Sequence, residues 1–542
     1  MWQSAPDSWF DSFPSPRRYL MRLDDDDPRG LSRRQFLRRG LAAGATAATA
    51  PLWWQLLDAS AAEPAGAAAA TLPDITEFLG QDQVAELLRL ALARGGEFAE
   101  VFGEYTVNTS FALDEQKLKT AQYGVLSGVG IRVIVGDQTG YAYADEFGMP
   151  ALREAATVAA AVARQGGGGT PRKFAVSTAA PPFVLTRPAP LHASEEEKIA
   201  YCRRADEAAR AHDKRIAQVQ CLLQDQARSL LVANSEGLWA TDRQFVSRLA
   251  CVPTAIDGTN RQSGFDFGGG QVEADYYLKT RTPEQIGKDA AAGAVALLAA
   301  VDPKAGSYPV IISPGWGGVL VHECFGHSLE GDGIRKQTSL RAFQFGQKVC
   351  SDVVDIWDDG TVPFSRGSFK VDDEGTPSQK NHLVEKGVLK GYLWDRLNAQ
   401  ITGNRPTGNG RRNSYRDFPI PRMTNTYIAA GTDDPEALIA SVKEGLYCKN
   451  LAGGSVNPAD GNFSFVVREA YQIENGKLGA CVKGATLTGN AAEAMLRVVG
   501  VGRDLKIEGG TGNCGKDGQF KPVGVGQPTV KFSELTVGGT QA

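Results

Sequence analysis

Two histidines five positions apart, His322 and His327, make a demand on the backbone that a regular α-helix cannot meet. On a regular helix, residues four apart are offset by only about 40° around the axis, whereas residues five apart diverge by about 140°. Both imidazoles can face one point only if the helix widens by one residue, as in a π-turn, and such turns are frequent at functional sites. Gly326 makes this deviation cheap because glycine has wide backbone freedom. We therefore predict a π-turn at Phe325-Gly326.

The residue types in this stretch are those of a metal site. The chain has five histidines in all, and Glu323 directly follows the first of this pair. Imidazole nitrogens bind zinc, and a glutamate beside the metal can accept a proton from water. The alternative interpretation is a helix whose two histidines have unrelated partners. The sequence favours a metal site with Glu323 as the general base.

A third ligand is not determined by the residues themselves. The eight cysteines show no CxxC pair and no regular framework, which argues against a disulfide scaffold. Cys324 lies within the motif but on another side of the helix, so core packing suits it better. Cys481 and Cys514 stay open at this point, and Cys514 lies in a tight Gly-Asn-Cys-Gly turn. His382 has no indicated role as a ligand.

The first sixty residues have the pattern of an export signal. Paired arginines, Arg33 and Arg34, precede a weakly apolar segment at 40–57, and small residues at 59–61 offer a cleavage site. We predict a twin-arginine signal peptide at 1–61, a linker at 62–74 and a periplasmic or secreted protein. The alternative is a basic arm followed by a short amphipathic helix. Either Met1 or Met21 could be the first residue.

Charge and hydropathy exclude two classes of partner. The net charge is −4, with 42% hydrophobic and 22% charged residues, so no broad basic surface indicates nucleic acid or an anionic membrane. No apolar run reaches the roughly 18 residues of a membrane span. We expect neither nucleic acid binding nor a stable membrane span.

Periodicity and turn signals predict an α+β chain. Apolar residues at 84, 87, 88 and 91 follow helical spacing, and Ser194 and Thr282 open capping boxes. Alternating segments predict strands at 99–107, 129–135, 141–144, 216–226, 229–234 and 238–252. We predict an N-terminal α/β domain at 75–170 and a middle α/β domain at 190–303. Glycine turns beyond residue 305 favour an antiparallel sheet or partial barrel at 305–542 that holds the helix of His322.

Several motifs in one order resemble the TldD family. The stretch from His322 to His327 continues as Ser-Leu-Glu-Gly-Asp at 328–332, which is similar to the family's HExxxH-GLEGD element. The segments 372–377, 408–412, 421–427, 482–487, 514–518 and 522–528 also resemble family motifs. The similarity is dense from about 305 to 540 and looser from about 75 to 300.

The resemblance implies a zinc metallopeptidase that acts on short or unfolded peptides. Carried over by position, His322, His327 and Cys514 hold one Zn²⁺, and Glu323 is catalytic. Family members commonly pair with a TldE (PmbA-like) partner whose motif is degenerate, so the intact motif here implies the active subunit of a dimer. That dimer contains either a second copy or a TldE/PmbA-like chain. An export signal departs from the cytoplasmic location expected of most members.

Other functions stay open beside this one. Arg411, Arg412 and Arg422 either bind a peptide carboxylate or the oxyanion, or clamp carbonyls and acidic turns of the chain itself. The whole protein could also be a metal-stabilised peptide-binding or assembly factor without proteolytic activity. A third alternative is a zinc hydrolase of a cell-wall amide bond, which only the predicted location supports.

Overall fold

The computed structural model of the chain describes residues 72–162, 175–176, 193–272 and 275–539. The predicted export segment and all but the last three residues of the predicted linker lie outside these ranges. Helices and sheets alternate along the described chain, and the predicted α+β class is confirmed. The predicted domain boundaries stay predictions. Across the described ranges, no helix is both long and apolar enough to cross a bilayer.

The first half of the chain builds one eight-stranded sheet. Its strands are β1 Phe98–Asp114, β2 Lys117–Val135, β3 Gln138–Ala144, β4 Ala175–Val176, β5 Ile216–Asn234, β6 Leu238–Asp257, β7 Asn260–Ser263 and β8 Asp266–Gly270. They lie in the order β3-β2-β1-β5-β6-β4, and β7 and β8 also pair with β6. Because β1 pairs with β5, the strands predicted for the N-terminal and middle regions share one sheet.

Several of these strands are longer than alternation predicts. The hairpin of β1 and β2 runs in pairs from Phe98–Ile134 to Asp114–Lys117, and its two-residue turn has positive φ at Glu115 and Gln116. The segments 216–226 and 229–234, predicted as separate strands, form the single strand β5. Pairing on both sides, with β1 and with β6, extends β5 through its polar middle.

Within the described ranges, five α-helices flank this sheet: α1 Gln81–Leu92, α2 Met149–Val162, α3 Glu195–His212, α4 Tyr276–Lys279 and α5 Pro283–Leu298. The helices α1 and α2 bury one apolar core against the sheet, and α3 and α5 bury another. Both predicted capping boxes are present, with Ser194 accepting from the backbone of Glu197 and Thr282 from that of Gln285. Local polar pairs therefore set where α3 and α5 begin.

The second half of the chain forms two larger sheets and a separate two-stranded sheet of Gly410–Arg411 and Ile420–Pro421. Its strands are β9 Gly306–Ile312, β10 Ile356–Asp359, β11 Lys380–Glu385, β12 Val388–Leu389, β13 Gly410–Arg411, β14 Ile420–Pro421, β15 Asn425–Ile428, β16 Glu444–Val456, β17 Asn462–Glu474, β18 Lys477–Val482, β19 Thr486–Asn490, β20 Val498–Val501, β21 Lys506–Lys516, β22 Gln519–Gln527 and β23 Val530–Gly538. A six-stranded sheet has the order β12-β11-β10-β15-β22-β21. A seven-stranded sheet has the order β16-β9-β23-β19-β17-β18, with β20 on β23.

A helical segment at 315–329, called here the motif helix, contacts both of the larger sheets. It consists of a 3₁₀ turn Gly315–Gly318, an α-turn Val319–Val321, a π-turn His322–Gly326 and a 3₁₀ turn His327–Leu329. Leu320 and Phe325 are fully buried in the largest apolar core, which draws on both sheets. The remaining helices are short: α6 Gly331–Arg335, α7 Arg396–Thr402, α8 Pro435–Ala440 and α9 Ala491–Ala494. The motif helix is thus held on two sides.

Candidate metal centre

The motif helix contains the π-turn that the histidine spacing predicts. The backbone N–H of His327 donates to the carbonyl oxygen of His322, five residues earlier. The two imidazole centroids lie 5.3 Å apart, with the ring planes at 83°. A Cβ atom at Gly326 would lie 1.7 Å from the sulfur of Met423, so only glycine allows this turn to pack as it does. The extra residue in the turn brings both imidazoles together.

Cys514 approaches the two histidines from β21. Its sulfur lies 3.3 Å from Nε2 of His327, although the two residues are 187 positions apart in the chain. One ligand atom from each of His322, His327 and Cys514 lies within 4.8 Å of the other two. In the part of the chain that the structure describes, this is the one group of three or more His, Cys, Asp or Glu side chains with ligand atoms so close.

These three side chains fit a metal ion that accepts nitrogen and sulfur. Two imidazoles and one thiolate leave one position of a tetrahedral ion open, which is typical of catalytic rather than closed structural sites. Nδ1 of His322 is buried and has no hydrogen-bond partner among the described residues. A buried polar atom without a partner is rare in folded proteins and calls for an explanation such as a bound ion.

A buried carboxylate supports His327 from its far side. Oε2 of Glu330 lies 3.1 Å from Nδ1 of His327 and 3.1 Å from Nζ of Lys516. Burial would raise the pKa of Glu330, but Lys516, His327 and Arg422 lower it to about 2, so the group is a carboxylate. The sequence alone predicted no role for Glu330 or Lys516. The position of Glu330 three residues after His327, the spacing of helical neighbours, is the signal that indicates it.

The charges of the site stabilise one another. Burial raises the pKa of the Cys514 thiol, but His322 and His327 lower it well below its usual value. Burial lowers the pKa of His327, but Glu330 and Cys514 raise it well above its usual value. The thiolate, which is the form that binds metals, is therefore favoured at this position.

Glu323 stands beside the three ligand candidates. Its Oε2 lies 3.9 Å from Nε2 of His327, and its side chain is 17% exposed. Burial raises the pKa of Glu323 above its usual value, although His322 and His327 act in the opposite direction. A carboxylate with a raised pKa, in reach of solvent, can both accept and release a proton.

The other candidates lie elsewhere. Cys324 is fully buried in the apolar core, as predicted, and burial raises its pKa. Cys481 lies on β18, where it pairs with Tyr471 on β17. His382 stacks on Trp357 with ring centroids 3.8 Å apart. Of the cysteines that the sequence left open, the structure brings Cys514 to the histidines.

Three domain models of one family match consecutive stretches of the chain. The model described as PmbA/TldA metallopeptidase domain 1 matches residues 99–163, and that of the central domain matches 188–298. The model of the C-terminal domain matches residues 305–539, which include the motif helix and β21. The chain belongs to the TldD/PmbA metallopeptidase family.

Curated relatives of this TldD/PmbA metallopeptidase carry metalloprotease names. The "Metalloprotease TldD homolog" of Haemophilus influenzae is 38% identical over 453 residues, which cover 82% of this chain and 94% of that protein. The "Zinc metalloprotease TldD homolog" of Saccharolobus solfataricus is 32% identical over 238 residues, 44% of this chain and 53% of that protein. The similarity supports a metal-dependent peptidase.

Solved structures show the same fold. A Thermotoga maritima protein matches with a TM-score of 0.70 at 23% identity and covers 84% of this chain and 99% of its own. TldE from Thermococcus kodakarensis matches with a TM-score of 0.68 at 22% identity and covers 84% of this chain and 100% of its own. At these identities the similarity concerns the TldD/PmbA architecture alone.

The three arginines with a predicted substrate role are buried in this TldD/PmbA-family chain. Their guanidinium groups donate to main-chain carbonyl oxygens, those of Met423 and Pro522 for Arg411, Asp373 for Arg412, and Cys514 and Gln519 for Arg422. Arg412 also pairs with Glu100. These contacts favour the alternative in which the three arginines bind carbonyls and acidic turns of the chain itself. A substrate contact of Arg411, Arg412 or Arg422 stays a prediction.

Proposed function

We propose that this chain is an exported zinc-dependent peptidase that hydrolyses short or unfolded peptides. One observation carries the proposal: His322, His327 and Cys514 converge on one point, with Glu323 beside them. The metalloprotease names of the relatives support peptide hydrolysis, and one of those names includes zinc. Two nitrogens and one thiolate are also a ligand set that zinc accepts.

The reaction uses the chain's residues in separate roles. His322, His327 and Cys514 would hold a zinc ion, which when bound lowers the pKa of water and polarises a carbonyl group. Glu323 accepts a proton from the attacking water on a carboxylate oxygen and delivers it to the nitrogen of the leaving amine. Burial, which raises the pKa of Glu323, favours the protonated form that the second transfer needs. Glu330 keeps Nδ1 of His327 occupied, so that Nε2 faces Cys514.

The test compares zinc-loaded wild type with Glu323→Gln on unfolded casein and on short peptides. We expect hydrolysis to fall at least about a hundredfold while zinc content is unchanged, because only the proton acceptor is removed. Glu385→Gln, an exposed glutamate of β11, is the control and should keep full activity. Full activity in zinc-bound Glu323→Gln would refute this mechanism. Peptide binding without hydrolysis by wild type would favour the assembly factor, and hydrolysis of muropeptides alone would favour the cell-wall amide hydrolase.

The export part of the proposal rests on Arg33, Arg34 and the apolar segment that follows them. We expect the mature chain in the periplasmic fraction, beginning near Ala62, as N-terminal sequencing would reveal. Replacing both arginines by lysine should retain the precursor in the cytoplasm, because the pathway reads the paired guanidinium groups. Finding the wild-type protein unprocessed in the cytoplasm would contradict export but would leave the proposed peptidase activity unaffected.

The intact motif supports an active-type subunit, and the structural similarity to TldE is consistent with a TldD/TldE-like partnership. We propose a dimer with a second copy or with a TldE/PmbA-like chain. Light scattering on the purified chain, alone and mixed with a TldE/PmbA-like chain of the same organism, distinguishes the two. A monomer under both conditions would contradict the proposal.

A further inference from the structure

A cavity of about 790 Å³ lies where the segment at 264–269 meets the second half of the chain. Phe265, Arg468 of β17 and Gly510 of β21 are among the residues that line it. This volume is within the range of pockets that hold small ligands, roughly 300–1,000 Å³. Apart from Arg468, its lining cations are already paired with carboxylates: Arg281 with Asp266 and Asp289, Lys449 with Glu469, and Lys506 with Glu508.

Arg468 differs from these cations. Its guanidinium group forms no hydrogen bond and no ion pair with any residue that the structure describes. Its guanidinium carbon lies 4.6 Å from the centroid of the Phe265 ring. Burial lowers the pKa of Arg468 to about 10. Among the described residues, this charged group therefore lies against the Phe265 ring without a counter-ion.

Two more arginines that have no carboxylate partner among the described residues lie nearby, Arg248 at the same phenyl ring and Arg366 beside Arg248. The guanidinium carbon of Arg248 lies 6.0 Å from the same Phe265 ring, and its Nε is buried without a partner in the described ranges. Nε and Nη1 of Arg366 are likewise buried without a partner, while Nη2 donates to Oδ1 of Asn513 at 3.1 Å. Burial and the neighbouring charge of Arg248 lower the pKa of Arg366 to about 9.

Three buried arginines of the first and second halves of the chain are paired with carboxylates, unlike this partly buried cluster. Arg132, Arg228 and Arg412 each contact at least one carboxylate within the chain. Arg468 is partly exposed to the cavity and has no charged partner among the described residues, so its guanidinium fork is available to an anion from outside the chain. The neighbouring charges of Arg248 and Arg366 favour such an anion.

The cluster also lies next to the metal centre along the chain. Asn513, which accepts from Arg366, directly precedes Cys514 on β21. Because successive side chains of a strand point to opposite faces, Asn513, which Arg366 contacts, and the candidate ligand Cys514 lie on the two sides of this strand. An extended substrate that crosses β21 could contact both.

We propose that Arg468 binds a carboxylate of the peptide substrate in this cavity, and that the nearby charges of Arg248 and Arg366 strengthen the attraction. This inference rests on the proposed peptidase function and names the substrate's chemistry. The carboxylate is either the free carboxyl end of the peptide or an acidic side chain. A planar guanidinium fork matches both, and Phe265 holds the fork in place.

The test measures binding and needs no hydrolysis. Zinc-loaded Glu323→Gln protein is titrated against fluorescent peptides of one sequence: one with a free carboxyl end, one amidated, and two amidated peptides carrying an added Glu or Gln. We expect the peptide with the preferred carboxylate to bind about tenfold or more tightly than its neutral counterpart, as for a charge-assisted hydrogen bond. The pair that shows the difference identifies the source of the carboxylate.

Arg468→Gln, in the same background, should remove this difference and leave the affinity for the neutral peptides unchanged. Arg281→Gln is the matched control, since this cavity arginine is already paired with Asp266 and Asp289, and it should keep the difference. Equal affinity for all four peptides in the parent protein, or equal loss in both variants, would overturn the proposal. If Arg468→Gln is unstable, Arg468→Lys takes its place in the test. This variant keeps the charge and should retain part of the affinity difference between the peptides. Hydrolysis of peptides by the wild-type protein is measured separately. A failure of the carboxylate site is therefore distinguished from a failure of the proposed peptidase function.

Discussion

Oε2 of Glu330 lies 3.1 Å from Nδ1 of His327, on the side of the ring opposite to Cys514. This buried carboxylate keeps Nε2 of His327 free and directed at the thiolate. In metal sites, such supporting contacts fix the tautomer and the orientation of the ligand histidine. The relationship therefore predicts that metal affinity depends on a residue that would not touch the metal.

Glu330→Gln should weaken zinc binding by roughly 10- to 100-fold, because the neutral amide orients His327 less strongly. Competition with a zinc chelator measures this affinity. Asp332→Asn is the control, since Asp332 shares Lys516 with Glu330 but forms neither a hydrogen bond nor an ion pair with His327. Unchanged affinity in Glu330→Gln, or the same loss in both variants, would contradict the supporting role.

Cys514→Ala should lose bound zinc, whereas Cys481→Ala should retain it. The sulfur of Cys514 lies 3.3 Å from Nε2 of His327, and Cys481 lies on β18 outside the ligand group. Elemental analysis of the dialysed proteins measures the zinc content, and circular dichroism verifies that both fold. Full zinc content in folded Cys514→Ala would remove Cys514 from the ligand set.

Gly326→Ala should destabilise the fold by about 1–3 kcal/mol or more, because the new Cβ would lie 1.7 Å from the sulfur of Met423. Urea unfolding of the metal-free proteins measures the free energy of unfolding. Gly333→Ala is the matched control: its Cβ would meet its nearest neighbour at 3.6 Å, an ordinary contact. In the double variant Gly326→Ala/Met423→Ala the clash should be relieved, but the free energy of unfolding should stay below that of wild type. No loss of stability in Gly326→Ala would contradict the packing at this turn.

Local spacing predicted those parts of the structure that depend on local geometry. The π-turn follows from the five-residue separation of His322 and His327, and the starts of α3 and α5 follow from the capping boxes at Ser194 and Thr282. In each case the interacting groups are only a few residues apart, so their relative positions follow from helix geometry.

Contacts between segments far apart in the chain could not be predicted from local spacing. Cys514 reaches His327 across 187 positions, and only the family resemblance distinguished it from Cys481. The contacts of Arg411 and Arg422 with main-chain carbonyls likewise depend on segments far along the chain. The polar half of β2 forms a strand because it pairs with β1, although apolar and polar residues do not alternate clearly in this segment. Spacing within one segment carries no information on which distant segment will lie beside it.

Asp395 gives the stability of the fold a specific pH dependence. Its Oδ1 accepts from the backbone N–H of Asn398 at the start of α7, and the side chain is buried. Burial and, second, the neighbouring Glu374 raise the pKa of Asp395 to about 7. An aspartate in the unfolded chain has a pKa of about 3.9.

Between these two pKa values the folded chain holds a proton that the unfolded chain has released, so the free energy of unfolding falls as pH rises. The contribution is fully present below about pH 4 and is lost above about pH 7. Asp395→Asn keeps an oxygen that accepts from Asn398 but cannot titrate. Relative to wild type, this variant should therefore gain about 1 kcal/mol or more in unfolding free energy from about pH 5 to about pH 8. Urea unfolding of both metal-free proteins measures the difference, and parallel curves across this range would show that Asp395 carries no extra proton in the folded chain.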